Sequence, residues 1–159
     1  MMQRKSLELF SEGPEMTFNL GMKLAGLLEV GDVVALYGEL GSGKTLLSQG
    51  ICKGLDVDEF VTSPSFVLIR EYHGRLPVFH IDFYRLESDM EICDLDIDRY
   101  IYDDGVCIIE WAERGESLLP EGRISIHLFH VIDGRMESEE RRRIVIDAPS
   151  SRGIEVIKL

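Results

Sequence analysis

The sequence predicts an α/β fold, a parallel core sheet with antiparallel additions, from three observations. Val33–Tyr37 is a short, nearly all-apolar run, the pattern of a strand buried on both faces. A glycine-rich turn follows it, and from Lys44 to about Leu55 apolar residues recur at helical spacing, with Leu46, Leu47, Ile51 and Leu55 inward. Val106–Trp111 then repeats the buried-strand pattern within a strand-rich second half.

Taken in order, Ser6–Phe10 alternate weakly and suggest an edge strand. SEGPEMT reads as a loop ending near a helix start, and Phe18, Leu20, Leu24, Leu27 and Leu28 carry that helix. Gly31–Asp32 is a turn into the first buried strand. Ser65–Tyr72 and Leu76–Phe83 flank His73–Gly74–Arg75 as a hairpin. Residues 87–102 mix short helical and irregular signals. A polar stretch runs from Trp111 to Pro120. Ile124–Val131 and Arg143–Asp147 alternate like antiparallel strands, joined by DGRMESEERR as a solvated connection. Ile154–Ile157 suggests a final strand.

The length of 159 residues suits one domain spanning 1–159. Lysine and arginine total 17 against 29 acids, so the net charge is −12. A surface that acidic repels phosphate backbones at long range, which argues against strong nucleic-acid binding by the chain alone. The three cysteines are widely spaced, without a CxxC pair, and read as reduced thiols rather than a disulfide framework or zinc ribbon. The N-terminus lacks the apolar core of a signal peptide, and no apolar run is long enough to span a membrane. A cytoplasmic protein without a membrane anchor is expected.

GELGSGKT, Gly38 to Thr45, fits G-x-x-x-x-G-K-[ST] at every fixed position, with an apolar strand before it and an amphipathic helix after it. Glycines let backbone N–H groups turn inward around phosphate oxygens, and the helix N-terminus adds partial positive charge. Gly38, Leu40, Gly41, Ser42, Gly43, Lys44 and Thr45 are thus candidate nucleotide-binding residues. Lys44 would reach the β- and γ-phosphates, and the Thr45 hydroxyl would hold Mg²⁺. The fold expectation sharpens to a P-loop NTPase-like three-layer sandwich. The loop alone does not name a reaction, because kinases, switches, motors and ATPases share it.

Two acids are candidates to complete a metal site. In HIDFYR, alternation places His80, Asp82 and Tyr84 on one face of a strand, and an acid on so apolar a strand needs a partner. That partner is a metal or nucleotide, or simply backbone or Arg85. Glu110 ends VCIIE, the carboxyl end of a buried strand, where open α/β sheets place ligand chemistry. His80 either meets the ligand or is satisfied within the structure. His127 and His130 face opposite sides of a strand and read as structural. Asp94, Asp96 and Asp98 suggest a calcium loop, but Arg99 and Gly105 stand where that loop needs Gly and Glu. Trp111, the sole tryptophan, is either core or a partner anchor. The run Arg141–Arg143 reads as a solvated face or as a phosphate contact.

These residues together resemble the bacterial TsaE (YjeE) family, P-loop ATPases of tRNA threonylcarbamoyladenosine biosynthesis. GELGSGKT at 38–45, SPSF at 63–66, HIDFYRL at 80–86 and IEWAER at 109–114 match in order, and the resemblance spans roughly 6 to 147. It implies ATP on Leu40–Thr45 and Mg²⁺ held by Thr45 and Glu110, with Asp82 assisting metal or water. It also implies a switch-like loop at Ser63, Pro64 and Ser65. There Ser65 replaces the usual threonine, and Glu39 and Ser42 replace common Asp and Ala. Gly134–Arg135 matches a late Gly-Arg, which nominates Arg135 as a nucleotide contact, with Arg141–Arg143 close behind.

The resemblance further implies partners TsaB and TsaD, tRNA met only through them, and ATP hydrolysis that resets the assembly. Lys44, Asp82 and Glu110 would be catalytic, while Trp111 keeps both its readings, core or partner contact. Two other readings compete: a small-molecule P-loop kinase, disfavoured by the strand-rich second half and the lack of an arginine-rich lid, and an ATP-dependent assembly module that does not hydrolyse.

Overall fold

The computed structural model describes residues 2–65 and 68–159. They form one seven-stranded sheet in the order β1-β7-β6-β2-β5-β4-β3. The strands are β1 (Arg4–Ser11), β2 (Val33–Tyr37), β3 (Ile69–His73), β4 (Pro77–Asp82), β5 (Val106–Glu110), β6 (Ile124–Asp133) and β7 (Met136–Pro149). β6, β2, β5 and β4 run parallel, whereas β1, β7 and β3 add on antiparallel. This is the expected parallel core with antiparallel additions.

Helices cover both faces of the parallel core. On one face α1 (Pro14–Ala25) and α2 (Lys44–Gly54) pack with Leu20, Leu24, Leu47 and Ile51 against Val34, Leu36, Val78 and Ile108. On the other, α3 (Asp89–Asp94), α4 (Asp98–Ile101) and a 3₁₀ stretch, Ala112–Leu118, enclose Val33, Ala35, Phe79, Ile81 and Ile109. Strict alternation along β2, β4 and β5 divides their side chains between these two cores. It also dictates which core face the polar residues of β4 and β5 join. His80, Asp82 and Glu110 share parity with Val78 and Ile108, so all three face α2.

The close fit of α1 on α2 depends on small residues. A Cβ on Gly50 would lie 2.1 Å from the Phe18 carbonyl oxygen, and one on Gly21 would lie 2.5 Å from the Leu47 carbonyl oxygen. The helices therefore approach with their backbones nearly touching along the middle and C-terminal half of α2.

Four expectations need correction. Helix α1 begins at Pro14, within the stretch read as loop, because proline suits the first helical turn and Glu15 complements its dipole. The strand read from Ser65 begins at Ile69, and its residues 66–67 lie outside the described residues. DGRMESEERR is not a connection: β6 and β7 extend to Asp133↔Met136 around a turn with Gly134 at φ 68°. This outer hairpin has no core to bury: even Ile132 and Met136 beside its turn are exposed, and only its backbone pairing makes it strand. Ile154–Val156 is a short 3₁₀ turn after Gly153 (φ 69°), not a strand, although Ile154 and Ile157 are buried.

Candidate functional site

The chain leaves β2 at Tyr37 and enters α2 at Lys44 through a loop with Gly38, Gly41 and Gly43 at φ 152°, 76° and 108°. At Gly38 the need for glycine is also steric, since a Cβ would meet Ser42 Oγ at 2.5 Å and the Leu128 carbonyl oxygen at 2.7 Å. Helix α2 has no side-chain cap, and its first closing bond runs from the Leu47 amide to the Gly43 carbonyl. The amides of Gly43, Lys44 and Thr45 thus meet no protein acceptor among the described residues. Unsatisfied amides at a helix N-terminus make an anion site.

These residues wall a cavity of about 440 Å³. Leu40–Leu46 form one side, and Ser63, Ser65, Asp82, Tyr84, Arg85, Glu110 and Trp111 form the other. The parallel register sets Asp82 beside Glu110 at the carboxyl ends of β4 and β5. Thr45 Oγ1 donates to Glu110 Oε1 at 2.8 Å, and His80 Nε2 donates to Glu110 Oε2 at 2.5 Å. Each carboxylate oxygen of Glu110 is therefore held from a different element, α2 and β4. Asp82 accepts from the Tyr84 amide at 2.7 Å and from Ser65 Oγ at 3.0 Å, and Ser65 Oγ lies 2.6 Å from Ser63 Oγ.

Lys44 is buried. Its Nζ donates to the carbonyls of Gly38 (2.5 Å) and Glu39 (2.9 Å) and sits 3.9 Å from the centre of the Trp111 ring. Trp111 holds a left-handed conformation, φ 57°, which turns its indole into the cavity wall beside Tyr84. Burial lowers the Lys44 ammonium from its ordinary value, while Glu113, Glu110, Asp82 and Glu39 pull it back up. Burial raises the Asp82 carboxyl. The Tyr84 amide and Ser65 hydroxyl oppose that rise, and the neighbouring Glu110 charge adds to it. The cavity therefore holds acids at a cost in desolvation and mutual repulsion, a cost that a cation would relieve.

Among the described residues no trio of acidic, imidazole or thiol side chains converges as a self-sufficient metal site. What converges is a hydroxyl, two carboxylates and the amides of an open helix end. That oxygen set suits Mg²⁺, which keeps several waters and is held mainly by substrate phosphates with one or two protein groups. The residues fit a phosphate-borne metal.

A family model described as threonylcarbamoyl adenosine biosynthesis protein TsaE matches residues 11–142. The chain belongs to the TsaE family. It is 42% identical over 127 residues to the tRNA threonylcarbamoyladenosine biosynthesis protein TsaE of Treponema pallidum, which covers 80% of this chain and 94% of that protein. The Bacillus subtilis protein of the same name is 36% identical over 149 residues, 93% of this chain and 89% of its own. The crystal structure of Bacillus subtilis YdiB matches at a TM-score of 0.79 and 33% identity, covering 96% of this chain and 91% of that one.

Within this TsaE fold, the structure brings together Leu40, Gly41, Ser42, Gly43, Lys44, Thr45, Ser63, Ser65, Asp82, Glu110 and Trp111 around one cavity. Gly38 stands just outside it and accepts from Lys44 through its carbonyl. Pro64 is buried, and its carbonyl accepts from the Leu68 amide at 2.6 Å. Phe66 of SPSF lies outside the described residues. Arg135 is exposed at the tip of the β6–β7 hairpin and does not line the cavity. The arginine that touches the loop is instead Arg142, which bonds the carbonyls of Ser42 and Gly41 at 3.2 and 3.1 Å. Arg141 pairs with Glu12 and Asp133, and Arg143 with Glu8. His80 and Glu113 were also legible only in part. His80 shares the Asp82 face, and Glu113, three residues beyond Glu110, accepts from the Gly38 amide at 3.3 Å.

Proposed function

We propose that this chain is a cytoplasmic, Mg²⁺-dependent ATPase of tRNA threonylcarbamoyladenosine biosynthesis. On this reading it is weak alone and acts with TsaB and TsaD to reset their assembly between turnovers. The bond from Thr45 Oγ1 to Glu110 Oε1 carries the reading, because it joins the open helix end to the carboxyl end of β5. The name shared by its relatives in Treponema pallidum and Bacillus subtilis supplies the pathway.

The amides of Gly43, Lys44 and Thr45 would take phosphate oxygens. Lys44 would leave the carbonyls of Gly38 and Glu39 for the phosphate chain, and Trp111 would keep its ammonium shielded from water. Thr45 and Glu110 would hold Mg²⁺, which supplies neutralising charge for the phosphates. Asp82 would hold a water, its free lone pairs steered by the Tyr84 amide and Ser65. His80 would keep Glu110 turned toward Thr45. Trp111 and the segment Ser63–Ser65 edge the cavity, where a partner surface could reach them.

The test is ATP hydrolysis by the purified chain, alone and with TsaB, TsaD and tRNA. Turnover should rise when the partners are added. Thr45→Ala should weaken ATP binding in Mg²⁺ much more than in EDTA. Equal ATP affinity in wild type and Lys44→Ala would overturn the assignment of the cradle.

A further inference from the structure

We infer that Arg142 is a positioning residue of the phosphate loop, reaching from β7 to hold the loop's outer carbonyls so that its amides stay turned toward the cavity. The consequence for ligand binding rests on the proposed nucleotide function, whereas the pinning of the loop does not.

The guanidinium carries five N–H groups, and five backbone carbonyls receive them. Nε donates to Ser42 at 3.2 Å, and Nη2 donates to Gly41 at 3.1 Å and Glu139 at 3.0 Å. Nη1 donates to Ser138 at 3.3 Å and to the Arg141 carbonyl at 2.8 Å. Three of these anchors lie on β7 itself and two on the loop, so the side chain is a strap between them. His130 on β6 approaches the preceding loop carbonyl, Leu40, at 3.4 Å. Three successive loop carbonyls, those of residues 40 to 42, are therefore met by side chains of one hairpin.

Peptide planarity converts those contacts into an aim for the amides. In a trans peptide the C=O and the next N–H point in opposite directions. Fixing the Gly41 carbonyl outward directs the Ser42 amide inward, where it bonds the Glu39 carbonyl at 3.1 Å and closes the turn. Fixing the Ser42 carbonyl outward directs the Gly43 amide away from Arg142, toward the open helix end. The glycines themselves cannot hold this arrangement. Gly41 and Gly43 are the loop's freest residues, and a Cβ on Gly41 would meet nothing within 4 Å. The planar fork can span two adjacent carbonyls, whereas a lysine ammonium is a point charge. Among the described residues Arg142 makes no ion pair, while Arg141 and Arg143 on either side each do.

The experiment compares wild type with Arg142→Met, Arg142→Lys and Arg143→Met. It reads hydrogen exchange of the Ser42 amide, the loop amide held on the Glu39 carbonyl, in the nucleotide-free chain, together with ATP affinity with Mg²⁺ and with EDTA, and KM against kcat. Both Arg142 variants should exchange faster in the loop. Both should bind ATP about tenfold more weakly, consistent with losing hydrogen bonds from a charged donor. That loss should be equal with Mg²⁺ and with EDTA, raising KM and leaving kcat within about twofold. Arg143→Met should exchange in the loop like wild type.

Loop exchange unchanged in the Arg142 variants would overturn the inference, as would rescue of loop and affinity by lysine or an equal effect of Arg143→Met. Should the methionine variant fail to fold, the lysine variant still decides. A wild-type chain that binds no ATP would sink the nucleotide reading alone, because loop exchange measures the pinning without ligand.

Discussion

Asp82 sets a carboxyl where burial and the neighbouring Glu110 oppose its charge. Its carboxyl is buried, faces Glu110 across the register of β4 and β5, and lies above its ordinary range because burial disfavours its charge. A carboxyl whose folded value exceeds its unfolded value binds protons more readily when folded. Its contribution to stability is therefore greatest at acid pH and is lost as pH rises through the folded value. Asn in its place keeps an acceptor for the Tyr84 amide and a polar contact for Ser65 without the charge. Asp82→Asn should raise the melting temperature at pH 7 by roughly 2–4 °C, about 1 kcal/mol in a domain of this size. The gain over wild type should shrink as pH falls from 7 toward 4, and partner-stimulated ATP hydrolysis should fall by at least about tenfold. Thermal unfolding across that pH range, beside the hydrolysis assay, checks both. A variant less stable than wild type at neutral pH would show that the hydrogen bonds outweigh the buried charge.

Helices α1 and α2 set the position of the open helix end, and the glycine seam between them is the most exacting contact of the pair. At Gly50 an added methyl would press into the Phe18 carbonyl, and both partners are backbone, so neither can yield by changing rotamer. Gly50→Ala should cost about 1–3 kcal/mol despite alanine's better helix propensity, read from urea unfolding. A neutral or stabilising effect would mean the helices separate easily. That seam was not visible in the sequence, where Gly21 and Gly50 lie 29 residues apart without a periodic signal. Other elements were legible to different degrees. β2, α2 and β5 could be read because each buries a continuous apolar pattern and GELGSGKT marks the junction. The outer part of β7 could not, because strand pairing there is backbone to backbone and MESEERR carries no buried face. Asp82 and Glu110 were legible by alternation and by strand end. Arg142 was hidden among three arginines, since only the register of β7 against β6 decides which of them reaches the loop.

At the scale of the whole molecule, the sheet divides the labour. The parallel strands β2, β5 and β4 bring their carboxyl ends to one cavity, while β6, with β7 and β1 added antiparallel beyond it, forms a brace that touches the loop through Arg142. The surface around this frame carries a net charge of −12. On the proposed function the chain serves a tRNA-modifying assembly, yet its field opposes the approach of any polyanion. On the same proposal ATP would overcome that field locally, through amides, Lys44 and a divalent cation, over a few ångströms. A tRNA, with its charge spread over tens of ångströms, would meet the net negative charge of the whole chain rather than one local cradle. The isolated chain should therefore show no retention of tRNA in a filter-binding assay at ~0.15 M salt, where the screening length is about 8 Å. Retention should not improve at 0.02 M salt, since lengthening the range of the field strengthens repulsion. With the partner complex present, tRNA, ATP and this chain should be retained together. Direct tRNA binding that tightens as salt is lowered would show a basic contact surface and would remove the charge argument for partner-mediated access.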